Sequence, residues 1–177
     1  IRPDLSLFGK AIANGYPLGV LGGKAKIMDL CAHPDLAKRV LVAGTYNGHP
    51  VNVAAALATL EILGRDRGQI YRKIESHSVQ LKEGQKRIFR EQGKTVTIVR
   101  NASASCLYFM DHAPRDWHDV LQHHDFDLDL RYRREMIAEG IYLFPAPCKQ
   151  SSISAAHSSD DIEQTLAAIQ RVAKKIL

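Results

Sequence analysis

The chain has 177 residues, 45% hydrophobic and 24% charged, with 24 Lys or Arg against 19 Asp or Glu, a formal charge of +5 and a pI near 9.2. That is enough apolar material for one globular domain or two small ones, and it excludes a disordered or fibrous chain. No apolar run approaches the roughly 18 residues of a membrane helix, Ile1-Arg2-Pro3-Asp4 does not read like the basic start of a signal peptide, so a secreted protein is not expected, and three scattered cysteines, Cys31, Cys106 and Cys148, suggest neither a disulfide framework nor a zinc site. A reducing, cytoplasmic setting is expected.

Seven of the twelve glycines (Gly9, Gly15, Gly19, Gly22, Gly23, Gly44, Gly48) fall in the first 48 residues, a portion built of turns that bring backbone close to something. Pro50 followed by the Ala-rich run Val51 to Leu63 and then Gly64 has the start and stop of a helix, and its composition predicts burial on most sides. From 65 to 91, eight basic residues stand against four acids, nearly the whole excess charge. Ile70, Ile74, His77, Leu81 and Ile88 recur there at helical intervals, so the basic side chains form the solvated face of an amphipathic helix rather than a nucleic-acid surface. Val96 to Val99 and Ser105 to Met110 read as strands, Tyr132 to Gly140 as a helix, and Ile141 to Phe144 as a short strand. Ser158-x-x-Asp161 predicts a capped final helix with Ile162, Leu166, Ile169 and Val172 or Ala173 inward. The mixture implies α/β or α+β architecture without internal repeats.

Lys10 stands out, flanked by Gly9 and Gly15 in an apolar setting. Burial of an ammonium depresses its pKa, and the resulting neutral amine is the nucleophile that forms a Schiff base with an aldehyde such as pyridoxal 5'-phosphate. The plainer alternative is an exposed turn lysine, or one whose stem snorkels along apolar surface.

The stretch PDLSLFGKAIANGYPLGVLGGKAKIM resembles the segment around the cofactor-linking lysine of the class III aminotransferases, nearest in appearance to their glutamate-1-semialdehyde aminomutase branch. Ala43-Gly44-Thr45-Tyr46-Asn47-Gly48-His49-Pro50 is similar to the family's Gly-Thr-x-x-Gly-Asn-Pro motif, with His49 in place of asparagine, and Ile153 to His157 with Asp160-Asp161-Ile162 is similar to its closing segment. The resemblance implies fold type I of the pyridoxal-phosphate transferases, with residues 1–64 the C-terminal part of the large cofactor domain and 65–177 a small α+β domain. It implies Lys10 as Schiff-base lysine and proton-transfer base, and Thr45 with the backbone of Gly44 as phosphate contacts. Because the equivalent threonine serves the neighbouring subunit's cofactor, a homodimer with shared sites is implied.

The family's phosphate loop, ring-stacking aromatic and pyridine-nitrogen aspartate lie before its Pro-Asp-Leu. By resemblance these 177 residues are the C-terminal part of a longer protein, need that upstream part, and are inactive alone. Where the aminomutase branch carries Pro-Ser-x-Phe-Glu, this chain reads Pro145-Ala146-Pro147-Cys148-Lys149-Gln150. The acid has become a base, which favours an aminotransferase whose substrate carboxylate meets Lys149, with aminomutase activity as the alternative. Small-molecule amino donors and acceptors are the implied partners, not nucleic acid or membrane, and an inactive binding module is the reading from another class. Tyr16 is a candidate for the substrate entry. His123, His124, Asp125, Asp127 and Asp129 match no regular metal spacing and read as a solvated turn. No metal is assigned, and His157 reads as structural.

Overall fold

The computed structural model describes residues 2–177. The chain divides into a unit ending at Gly68 and a second unit, Gln69–Leu177.

In the first unit, β1 (Leu5–Phe8) pairs antiparallel with β2 (Val20–Gly23), Leu5 opposite Gly23 and Phe8 opposite Val20. The Lys24 backbone N–H donates to the Asp4 carbonyl at 3.0 Å and its ammonium meets the Asp4 carboxylate at 2.6 Å, closing the open end of the ribbon. A Cβ on Gly23 would lie 2.6 Å from the Asp4 carbonyl oxygen, so the pairing requires glycine there. After the ribbon come α1 (Ala25–Met28), an irregular stretch, and α2 (Pro50–Gly64) with Pro50 in its first turn, where a missing N–H has no consequence. Ala13 and Ala56 are buried where α2 packs on the 3₁₀ turn Lys10–Ala13. The expected burial of α2 on most sides does not hold: only Asn52 and Ala56 are buried, while Val51, Leu57, Leu60 and Ile62 are exposed. An Ala-rich helix without an amphipathic stripe gives one narrow contact, and the unit has too few elements to cover the rest.

The second unit is an α+β arrangement. It comprises α3 (Gln69–Glu91), β3 (Thr97–Asn101), β4 (Ala104–Tyr108), α4 (Trp117–His123), α5 (Phe126–Ala138), β5 (Ser151–Ser152) and α6 (Ser159–Ile176). The strands form an antiparallel sheet in the order β3-β4-β5. Ile98 and Leu107, opposite one another in the β3–β4 register, join a buried cluster with Leu81, Ile88 and Phe89 of α3 and Ile162, Ile169 and Val172 of α6. Phe89 sits at its centre, edge-on to Phe109 at 5.3 Å and Tyr132 at 5.6 Å between ring centroids. The α6 start is a complete capping box: Ser158 accepts from the Asp161 N–H while the Asp161 carboxylate accepts from the Ser158 N–H at 2.7 Å.

Two segments depart from the sequence expectations. Ile141 to Phe144 is not a strand; Gly140 ends the helix at φ 84, and the chain leaves irregularly with Ile141 and Leu143 turned to the core while β5 occupies the sheet edge at Ser151–Ser152. Helix α5 begins at Phe126, before the expected Tyr132, because Asp125 caps it by accepting from the Leu128 N–H at 2.9 Å.

Helices α3 and α6 meet closely at Gly84, where a Cβ would fall 2.5 Å from Leu166 Cδ2 and 2.8 Å from Cδ1. Alanine would add about 1 kcal/mol of helix propensity against about 1–3 kcal/mol of overpacking. Gly84→Ala is therefore expected to destabilise by roughly 1 kcal/mol. Chemical denaturation of Gly84→Ala, Leu166→Ala and the double variant checks this, since relief of the contact makes the double loss smaller than the sum of the singles.

Candidate functional site

Lys10 is separated from β1 by Gly9 alone and opens the 3₁₀ turn with φ 52, a left-handed conformation that a side-chain-bearing residue seldom adopts. Asn14 closes the turn at φ 44 and Gly15 continues at φ 107. The reversal makes Lys10, Asn14, Gly15, Tyr16 and Pro17 the lining of one open depression of about 530 Å³. The structure thus brings the Lys10 amine and the Tyr16 ring to one surface. Asn52, buried on α2, holds that surface in place by donating from Nδ2 to the Pro17 carbonyl at 2.6 Å. Nothing in the local sequence marks Asn52, because its partner lies 35 residues away.

The expectation that Lys10 is buried is corrected: its side chain is exposed. It stands at the end of a two-stranded ribbon whose Leu7 and Phe8 are themselves exposed, so the apolar residues around it in sequence do not enclose it. Gly44 and Thr45 lie in an exposed turn, where the Asn47 N–H donates to the Gly44 carbonyl at 3.0 Å, and they do not line the Lys10 depression.

Lys149 belongs to the second unit. Its ammonium is 5.3 Å from the centre of the Phe144 ring, and its carbonyl accepts from Arg133 Nη2 at 3.0 Å. Arg133 also donates to the Phe144 carbonyl at 3.2 Å and, through Nε, to Asp129 Oδ1 at 2.7 Å. The other Asp129 oxygen accepts from the Cys148 N–H at 2.7 Å and from His124 Nε2 at 3.2 Å. His124 Nδ1 accepts from the Phe109 N–H at 3.0 Å, which places the imidazole proton on Nε2. His124 and Asp129 are buried beside the equally buried Arg133, so these two do not belong to the solvated turn that the sequence suggests. Sequence spacing shows only Asp129 and Arg133 one helical turn apart.

Burial would raise the Asp129 pKa, but the His124 bond, the Cys148 N–H and the Arg133 charge outweigh it and hold the carboxyl below its ordinary value. Burial pushes the Cys148 thiol up to about 11 and raises Cys106 too, so neither is an activated nucleophile. His157 Nδ1 accepts from the Ser154 N–H at 3.0 Å, closing the turn before α6.

The family model for class-III aminotransferases matches residues 1–172. The chain belongs to the class-III aminotransferases. The class-III chain is 37% identical over 171 residues to a glutamate-1-semialdehyde 2,1-aminomutase of Pyrobaculum islandicum, covering 97% of this chain and 39% of that protein. Its fold matches an omega-transaminase from Sphaerobacter thermophilus with a TM-score of 0.84 at 22% identity, covering 98% of this chain and 39% of that one. It also matches a lysine-to-alanine glutamate-1-semialdehyde-aminomutase from Pseudomonas aeruginosa in complex with PMP, with a TM-score of 0.82 at 21% identity over 100% of this chain and 40% of that one. The fold is therefore that of the pyridoxal-phosphate transaminases, and the chain spans about two-fifths of the length of these relatives.

Removing the Asp129 charge strands Arg133 in the interior. Asp129→Asn is expected to destabilise by about 3–5 kcal/mol. Because the folded pKa is depressed, the stabilisation is fully present above the unfolded value of about 4 and is lost as pH falls through the lower folded value. Denaturation midpoints measured from neutral pH into the acid range should fall for the wild type and flatten for Asp129→Asn.

Proposed function

We propose that the protein is a pyridoxal 5'-phosphate-dependent aminotransferase that moves an amino group between an amine or amino acid and an oxo acid or aldehyde, with Lys10 as its Schiff-base lysine. The observation that carries this is the placement of Lys10: a primary amine one residue beyond the end of β1, on left-handed backbone, opening onto a depression that Gly15 leaves clear of side chain. The residues fit the cofactor in two respects, an exposed amine for its aldehyde and an exposed Gly44-Thr45 turn offering N–H and hydroxyl donors for its phosphate.

When bound, pyridoxal phosphate supplies an electron sink for the substrate's amino carbon. Lys10 Nζ would hold the cofactor and, as a free amine, would take and return the proton at the substrate's amino carbon. Tyr16 borders the entry. Lys149, anchored through its own carbonyl, offers a cation to a substrate carboxylate. The unit ending at Gly68 is the C-terminal part of the large cofactor domain and Gln69–Leu177 the small domain, with the sequence boundary at 64/65. The working unit is a cytoplasmic homodimer in which Thr45 serves the neighbour's phosphate, and the site is completed by residues that precede this chain in the whole protein.

The relatives named as aminomutases favour a second reading, intramolecular transfer of the amino group in glutamate-1-semialdehyde. Turnover of that compound without an added acceptor supports the aminomutase, whereas dependence on a separate oxo acid or aldehyde supports the aminotransferase.

Borohydride reduction of the cofactor-loaded whole protein, followed by peptide mapping, should place the pyridoxyl label on Lys10, and Lys10→Ala should abolish it with a fall in activity of about 10²–10⁴-fold. A label on another lysine overturns the assignment. Thr45→Ala should weaken cofactor retention while leaving the covalent link able to form. In heterodimers with a Lys10→Ala subunit, retention should follow the partner's residue 45.

A further inference from the structure

A second group of chemistry-bearing side chains in the second unit lies where the loop after β4 meets α4. Asp119 and His123 are one turn apart on α4, and His112 arrives from the loop. His112 Nε2 is 3.1 Å from Asp119 Oδ1, and His123 Nδ1 is 3.0 Å from the same oxygen. All three potential ligand atoms lie within 4.8 Å of one another, and the imidazole centroids are 5.0 Å apart. We propose that His112, Asp119 and His123 form a binding site for a divalent transition-metal cation of the zinc type.

Three features carry this beyond a chance surface cluster. Ligands about 2.0–2.2 Å from a tetrahedral ion stand roughly 3.3 Å apart, so the two nitrogen–oxygen separations are already near those of a loaded site. The far nitrogen of His112, Nδ1, is 2.7 Å from Asp111 Oδ1, the carboxylate–imidazole arrangement that orients metal-bound histidines. Asp119 is buried with its Oδ2 tied to the Arg115 N–H at 3.0 Å, so the ligand carboxylate is held in place by backbone before any ion arrives.

The donor set is two imidazole nitrogens and one carboxylate oxygen, which suits zinc, cobalt, nickel or copper and not the hard ions calcium and magnesium. Three protein ligands leave a position for water. On binding, each imidazole would present a bare nitrogen to the ion and keep its one proton on the other, His112 on Nδ1 toward Asp111 and His123 on Nε2, so His123 Nδ1 would give up its 2.9 Å contact with the Asp119 carbonyl. The competitor is Arg115, whose Nη2 lies 3.1 Å from Asp119 Oδ1; its side chain is 77% exposed, so it can swing away while its backbone N–H stays on Oδ2. The neighbouring trio His124, Asp129 and Cys148 lacks this freedom. His124 and Asp129 are buried and Cys148 is half-buried, and both Asp129 oxygens are already committed, Oδ1 to the Arg133 guanidinium and Oδ2 to the Cys148 N–H. An ion at the first site would pin the loop after β4 to α4.

The test is titration of the tag-free chain with cobalt(II) and zinc(II), followed by cobalt d–d absorbance and calorimetry. One saturable site without a thiolate charge-transfer band is expected, with metal raising the thermal midpoint. His112→Asn and His123→Asn should each abolish saturation, Asp111→Asn should weaken binding about tenfold, and Arg115→Gln should tighten it. Circular dichroism verifies that each variant is folded. The histidine variants are used because Asp119 also anchors the loop. Absence of saturable binding in the wild type and in Arg115→Gln overturns the site, as does binding that survives in both histidine variants. A thiolate band would assign the ion to cysteine and overturn it equally.

Discussion

A carboxylate with no contact to water is the constraint around which the second unit is arranged. Asp129 is fully buried, and a charge there is tolerated only if every lone pair is answered and an opposite charge stands close. The answers come from three separate places: Arg133 on its own helix, His124 at the end of α4, and the Cys148 N–H in the loop before β5. Satisfying one side chain therefore fixes the mutual placement of α5, the His124 corner and the loop 144–149. His124 transmits the constraint to the strand end through the Phe109 N–H, and the guanidinium transmits it to Phe144 and Lys149 through their carbonyls. Cys148 is held at φ 55 in the same loop, a conformation of about 1–3 kcal/mol strain that persists because its N–H is committed to Asp129.

The two units rest on different physics. The second has an aromatic cluster of Phe89, Phe109 and Tyr132 closed by the apolar stripes of α3 and α6. The first is held by backbone pairing and a few local locks, among them the Lys24–Asp4 contacts and the Asn52–Pro17 bond. Its α2 leaves Val51, Leu57, Leu60 and Ile62 exposed and buries only Asn52 and Ala56. A helix of that composition gains little from solvent exposure, so much of its sequence is explained by surface that the described residues do not cover.

How far the sequence reveals this depends on the range of the signal. The α6 capping box and the stripe through Ile162, Ile169 and Val172 are written in adjacent residues, and the helix follows them. Pro50 marks the start of α2 equally well, but apolar composition does not reveal how much of it is covered. Ile141 to Phe144 has the composition of a strand; the carbonyl of Phe144 is instead taken by Arg133, and tertiary demand overrides local preference. The Asp129 network joins residues 109, 124, 129, 133, 144, 148 and 149, and the metal-ligand trio joins 112, 119 and 123 across a loop. Neither spacing has a local template. Lys10 is conspicuous for its glycine neighbours, yet its exposure follows from the bare ribbon on which it stands, a property of sheet width that local sequence does not carry.

Both lysines that carry the functional reading are positioned by their backbones rather than by their ammonium groups. Lys10 is set by left-handed φ and by a turn that Asn52 secures from α2. Lys149 is set by Arg133 on its carbonyl, with only the Phe144 ring beneath its charge. Among the described residues neither Nζ has an ion-pair partner, whereas Lys24 and Lys175 are paired with carboxylates. An amine committed to a carboxylate must break that pair before it can attack a carbonyl carbon or meet a substrate acid. Fixing the main chain and leaving the nitrogen uncommitted separates placement from reactivity, which would suit the roles proposed for Lys10 and Lys149.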